Sequence, residues 1–88
     1  MRVSTQPALE RILAIDLAVR RRQWPNARTL ARELGMVRRT IQRDIEFMRD
    51  RLDAPLEFDI ERNGYYYTDP DYRLAYFPVT EGDLNSLS

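Results

Sequence analysis

A mainly α fold with a small β-hairpin is predicted by three features of this 88-residue chain. Apolar residues recur at three- and four-residue spacing in three blocks before residue 53. After Pro55 the spacing changes to alternation, the mark of a half-buried strand. Asn63-Gly64 then supplies a strong hairpin signal, because both residues tolerate positive φ.

The first helix is predicted over about Pro7 to Arg22. Pro7 suits the first helical position, with Ser4, Thr5 or Gln6 where a cap is needed. Leu9, Ile12, Leu13 and Leu17 outline its buried face, widened by Ala8, Ile15 and Val19, with Asp16 lying inside the stripe. Arg20, Arg21 and Arg22 close the helix where cations complement its dipole. Trp24-Pro25-Asn26 breaks it, and Asn26 caps a second helix over roughly Ala27 to Leu34. There Ala27, Leu30, Ala31 and Leu34 share a face, and Gly35 stands where a left-handed residue ends the helix. Ile41, Ile45, Met48 and Leu52 define a third helix from about Arg38 to Arg51. In the hairpin, Leu56, Phe58 and Ile60 point inward between Glu57, Asp59 and Glu61, and Tyr65 to Thr68 return. Three helices and a hairpin in that order give a winged helix-turn-helix.

The absences narrow the function. The chain has no Cys and no His, which removes disulfides, thiolate and imidazole metal sites, and the commonest general base. No nucleophile–base pair or phosphate-cradling Gly loop is present, so no enzyme, catalytic residue, metal or cofactor is expected. Apolar runs are short and no cleavable signal opens the chain, so a soluble cytoplasmic protein without membrane contact is expected.

A net charge of zero hides a division. Residues 1–53 carry twelve Arg against seven acids, a net of +5; residues 54–88 carry two Arg against seven acids, a net of −5. All fourteen basic residues are Arg. Genomic base composition accounts for that, or else the forked contacts Arg makes with phosphates and guanine edges. A basic first half is the footprint of a nucleic-acid binder.

Helices two and three fit a helix-turn-helix where packing is demanding. Ala31 is small beneath the crossing helix, Gly35 makes the turn, and Ile41 anchors helix three. With Ile41 and Ile45 inward, Arg39, Gln42, Arg43 and Glu46 lie outward, with Arg38 and Thr40 on the two flanks. Arg38, Arg39, Gln42 and Arg43 are the candidate base readers, since Arg pairs with guanine and Gln with adenine. Thr40, Arg28 in the first turn of helix two, and Arg62 at the wing tip are candidate backbone contacts. The same charges also suit a merely solvated helix face, and Arg62 an idle one. Asp44, on the margin of the buried stripe, fits a structural ion pair or hydrogen bond better than catalysis. The tyrosines, confined to the acidic half, suit packing better than base stacking.

Arg39-Thr40-Ile41-Gln42-Arg43-Asp44-Ile45, preceded by Leu30-Ala31-Arg32-Glu33-Leu34-Gly35, resembles the N-terminal winged helix of DeoR-like and WYL-domain bacterial transcriptional regulators. Ala54-Pro55-Leu56, Gly64-Tyr65-Tyr66 and Phe77-Pro78-Val79-Thr80 are similar to the WYL subgroup. The chain departs from that pattern at Val37, where a Ser-like cap is usual. The resemblance implies a DNA-binding domain over residues 1–70. Residues 71–88 would be a linker and the start of a helix, near Glu81, leading to a downstream domain absent from this chain. That domain would sense an effector, and the longer parent protein would be a homodimer. The leading expectation is sequence-specific binding of double-stranded DNA as an operator-recognition module. The alternative is a protein-binding winged helix that uses the acidic wing and the aromatic tail (Tyr72, Tyr76, Phe77 and Leu84).

Overall fold

The computed structural model describes residues 7–74. Helices α1 (Ala8–Arg20), α2 (Ala27–Leu34) and α3 (Arg38–Arg51) precede an antiparallel hairpin of β1 (Leu56–Asp59) and β2 (Gly64–Tyr67). This is the expected winged helix-turn-helix layout. Ser4, Thr5 and Gln6, the tail residues Tyr76, Phe77 and Leu84, and the helix expected near Glu81 lie outside the described residues.

α1 stops at Arg20, two residues before the expected end. Arg22 is left-handed at φ 58°. Its N–H and that of Gln23 donate back to the carbonyls of Val19 and Ala18, at 3.0 and 3.1 Å. Such reversed bonds close a helix, usually with Gly rather than Arg at the left-handed position.

The face α1 turns to the core also differs from the expected one. Ile12, Ile15, Ala18 and Val19 are buried, whereas Leu13 and Leu17 are 44% and 45% exposed. Apolar residues occur on most sides of this helix, so its spacing admits two overlapping stripes. Polar anchors choose between them. Arg11 bonds Asp44 of α3, Asp16 accepts the Tyr67 hydroxyl at 2.6 Å, and Arg20 donates to the Tyr72 carbonyl at 2.7 Å. Burial, then the bond to Asp16, raises the Tyr67 pKa far above the usual tyrosine value and keeps the phenol a neutral donor.

α2 begins with a reciprocal capping box: Asn26 Oδ1 accepts the Thr29 N–H at 2.9 Å, and Thr29 Oγ1 accepts the Asn26 N–H at 3.0 Å. It ends at Gly35, left-handed at φ 67° as expected, with Met36 N–H returning to the Ala31 carbonyl at 2.9 Å. Ile41, Ile45 and Met48 of α3, with Leu52 just past its end, are buried in one cluster with Leu30, Ala31, Ala54 and Leu56. Each large side chain so buried contributes about 1.5–3 kcal/mol.

Within the wing only the first expected inward residue is buried. Leu56 is in the core, but Phe58 is 42% exposed and Ile60 84%. β1 ends at Asp59, so Ile60 belongs to the loop, and Phe58 lies in the cleft between the wing and the helices rather than in the core. Phe58 instead packs edge-on against Tyr65 across the pair, centroids 5.1 Å apart. The turn differs as well. Asp59 pairs with Gly64, so the loop is residues 60–63, and Asn63 alone takes positive φ, at 56°. Gly64 is required for space: a Cβ there would lie 2.1 Å from the Trp24 carbonyl oxygen. β2 accordingly starts at Gly64 rather than Tyr65 and ends before Thr68.

Packing continues past the hairpin. Tyr72 packs at a tilt against Tyr67, centroids 5.1 Å apart, and donates its hydroxyl to the Leu52 carbonyl at 2.7 Å, which ties the start of the tail to the body.

Candidate nucleic-acid interface

α2 and α3 are held at a fixed crossing by a tight turn and a shared core. Ala31 and Leu30 are buried where α2 meets α3, and Gly35 reverses the chain. Val37 precedes α3 in extended conformation and supplies no side-chain cap, as its identity predicts. With Ile41 and Ile45 fully enclosed, Arg39, Gln42, Arg43 and Glu46 are exposed on the far side of α3.

Five of the seven candidate residues line two clefts, one on each flank of α3. Arg28, Arg38 and Gln42 meet in a shallow cleft between the start of α2, α3 and the wing, with Asn26, Asn63 and Tyr65. Thr40 and Arg43 lie on the opposite flank of α3, in a cleft shared with Ala8, Arg11, Asp44 and Phe47 of α1 and α3. Arg39, exposed, lines neither cleft. Arg62 lies over the Trp24 ring, its guanidinium carbon 4.5 Å from the centroid.

Two ion pairs occur among the described residues, Arg11–Asp44 and Arg20–Asp16. Neither uses an arginine of the candidate set. Asp44 is buried and accepts both Arg11 Nε at 2.6 Å and Arg11 Nη2 at 3.1 Å, the structural pairing expected for it. That hydrogen bond raises the pKa of Arg11, against the opposing effect of burial. Arg20 is likewise engaged, by Asp16 and the Tyr72 carbonyl, and so is a structural cation.

Sequence reasoning missed Arg11 as the partner of Asp44 and Trp24 as the support of Arg62. Asp16 within the apolar stripe was a signal that α1 needs a polar partner; no local pattern points to Tyr67, fifty-one residues away. Among the described residues no group of His, Cys, Asp or Glu is arranged to hold a metal ion, and no helix is long and apolar enough to cross a membrane. Comparison with protein-family models, curated proteins and solved structures returns no match.

Proposed function

We propose that this winged helix is the operator-recognition module of a bacterial transcriptional regulator of the DeoR-like or WYL type, working in the cytoplasm on double-stranded DNA. The observation that carries the reading is the outward face of α3. Arg39, Gln42 and Arg43 stand exposed opposite Ile41 and Ile45, and neither ion pair among the described residues uses Arg39 or Arg43. Inserted in a major groove, such a helix sets Arg against guanine O6 and N7 and Gln against adenine N6 and N7. Arg38 reaches the groove from the flank. Arg28, Thr40 and Arg62 contact the sugar–phosphate backbone on either side and fix the register. The module needs no metal or cofactor and catalyses nothing; effector sensing and homodimerisation belong to a downstream domain of a longer chain.

Selection of bound duplexes from a random pool, followed by sequencing, tests this directly. A shared half-site of a few base pairs is expected, and an unenriched pool contradicts the proposal. A second reading has one observation in its favour: Phe58 and Ile60 are exposed on a wing flanked by Glu57 and Glu61. Such a wing suits a protein partner that covers Phe58 and Ile60, an apolar contact that salt weakens little. Salt separates the two readings, since counterion release makes DNA affinity fall steeply with ionic strength.

A further inference from the structure

The wing tip is built onto the corner between α1 and α2. Trp24 holds a left-handed backbone at φ 53°, which turns its indole toward the hairpin. The Tyr65 N–H donates to the Pro25 carbonyl at 2.7 Å, and Asn26 Nδ2 donates to the Asn63 carbonyl at 2.9 Å. Gly64 passes so close to Trp24 that no Cβ fits between them. Tyr66, on the same strand, flanks the indole, centroids 5.7 Å apart. On this base the Arg62 guanidinium lies 4.5 Å above the indole centroid. Asp59 is the nearby acid, and its Oδ1 accepts the backbone N–H of Arg62 at 3.0 Å; neither described ion pair involves Arg62.

Charge gives this stack a purpose. Between residues 54 and 71 Arg62 is the sole cation, against Glu57, Asp59, Glu61, Asp69 and Asp71. A hairpin of that composition is repelled by a polyanion unless its one cation is held where a phosphate can reach it. We propose that Trp24 is a positioning residue that presents Arg62 to a DNA phosphodiester beside the site read by α3. A cation–π contact uses the face of a guanidinium and leaves the five N–H donors, which lie in its plane, for a phosphate. The indole and a phosphate therefore engage Arg62 together. Indole is the best aromatic partner for a cation. A side chain already ordered on it loses less rotamer freedom on binding than one projecting into water. The inference rests on the proposed DNA binding and adds a residue that touches no DNA.

The test uses the duplex recovered by selection, a scrambled duplex, and the variants Trp24→Leu, Trp24→Phe, Arg62→Gln and Arg39→Ala, titrated at several salt concentrations. Trp24→Leu keeps apolar bulk and the same backbone cost but has no π face. It should weaken binding roughly three- to tenfold and lower the salt slope by about 0.9, the loss of one phosphate contact. Arg62→Gln should do the same, and the double variant should be no worse than Arg62→Gln alone. Trp24→Phe should recover most of the affinity, which a purely structural role does not explain. Trp24 is the only tryptophan, so its emission reports the stack in the intact protein. Emission should change in Arg62→Gln, and added duplex should alter it in the parent but not in Arg62→Gln. Should Trp24→Leu fail to fold, these emission changes decide the matter. Additive losses, parental affinity in a folded Trp24→Leu, or emission indifferent to Arg62 would overturn the proposal. If Arg39→Ala weakens binding while Trp24→Leu does not, the positioning role fails and the DNA reading stands. If the parent prefers neither duplex and binds neither, the DNA reading has failed and the positioning role falls with it.

Discussion

A carboxylate at the edge of an apolar stripe needs a partner, and Asp44 has one in Arg11, thirty-three residues earlier. The pair ties α1 to α3 through a forked contact shielded from water. Removing Arg11 takes the forked partner from the buried Asp44 carboxylate, which typically costs about 3–5 kcal/mol. Arg11→Ala should therefore lower stability by that order in urea denaturation, whereas Arg11→Leu with Asp44→Leu should lose much less. Equal losses would mean that the charges contribute nothing beyond their packing. The two glycines of the helix-turn-helix and wing differ in the same instructive way. Gly35 has open space around its missing Cβ, and only its backbone at φ 67° disfavours a side chain. Gly35→Ala should cost roughly 1–2 kcal/mol, the usual left-handed penalty. At Gly64 three backbone atoms of Trp24 lie within 2.7 Å of the point a methyl group would occupy. Gly64→Ala should lower the melting temperature further than Gly35→Ala, and the reverse order would contradict the close approach.

Among the elements, α2 and α3 were legible to within a residue, because each carries one apolar stripe and clear end signals. Asn26 and Gly35 mark α2, and Ile41, Ile45, Met48 and Leu52 leave α3 a single choice of rotation. α1 was legible as a helix but not in its rotation. Leu13 and Leu17 compete with Ile15, Ala18 and Val19, and only contacts remote in sequence decide between them. β1 misled through a rule that holds for strands lying flat on a core. Here the ribbon leaves the core after Leu56, so Phe58 and Ile60 lose their cover. The observed rotation of α1 makes a sharp prediction. Leu13→Gln and Leu17→Gln should each change stability by less than about 0.5 kcal/mol, while Ile15→Ala should cost about 2–5 kcal/mol. Thermal denaturation of the three variants measures this, and a large loss for either leucine would restore the rejected face.

For the molecule as a whole, the division of charge falls along the fold. The helical residues hold the excess of Arg and the hairpin holds the excess of acid, so the two parts meet a polyanion very differently. The candidate base readers were legible because helix periodicity places Arg39, Gln42 and Arg43 opposite Ile41 and Ile45. That Gln42 and Arg43 line two different clefts was not, since it depends on how the wing and α1 close against α3. The central claim is that the outward face of α3 reads DNA sequence. Fluorescence anisotropy of a labelled duplex recovered by selection, set against a scrambled duplex, measures it most directly. Arg39→Ala and Arg43→Ala should each lose about 1–3 kcal/mol on the selected duplex and much less on the scrambled one. Arg28→Ala should weaken both duplexes about equally. Parental affinity for the selected duplex in both Arg39→Ala and Arg43→Ala, with the fold intact, would show that α3 is not the reader.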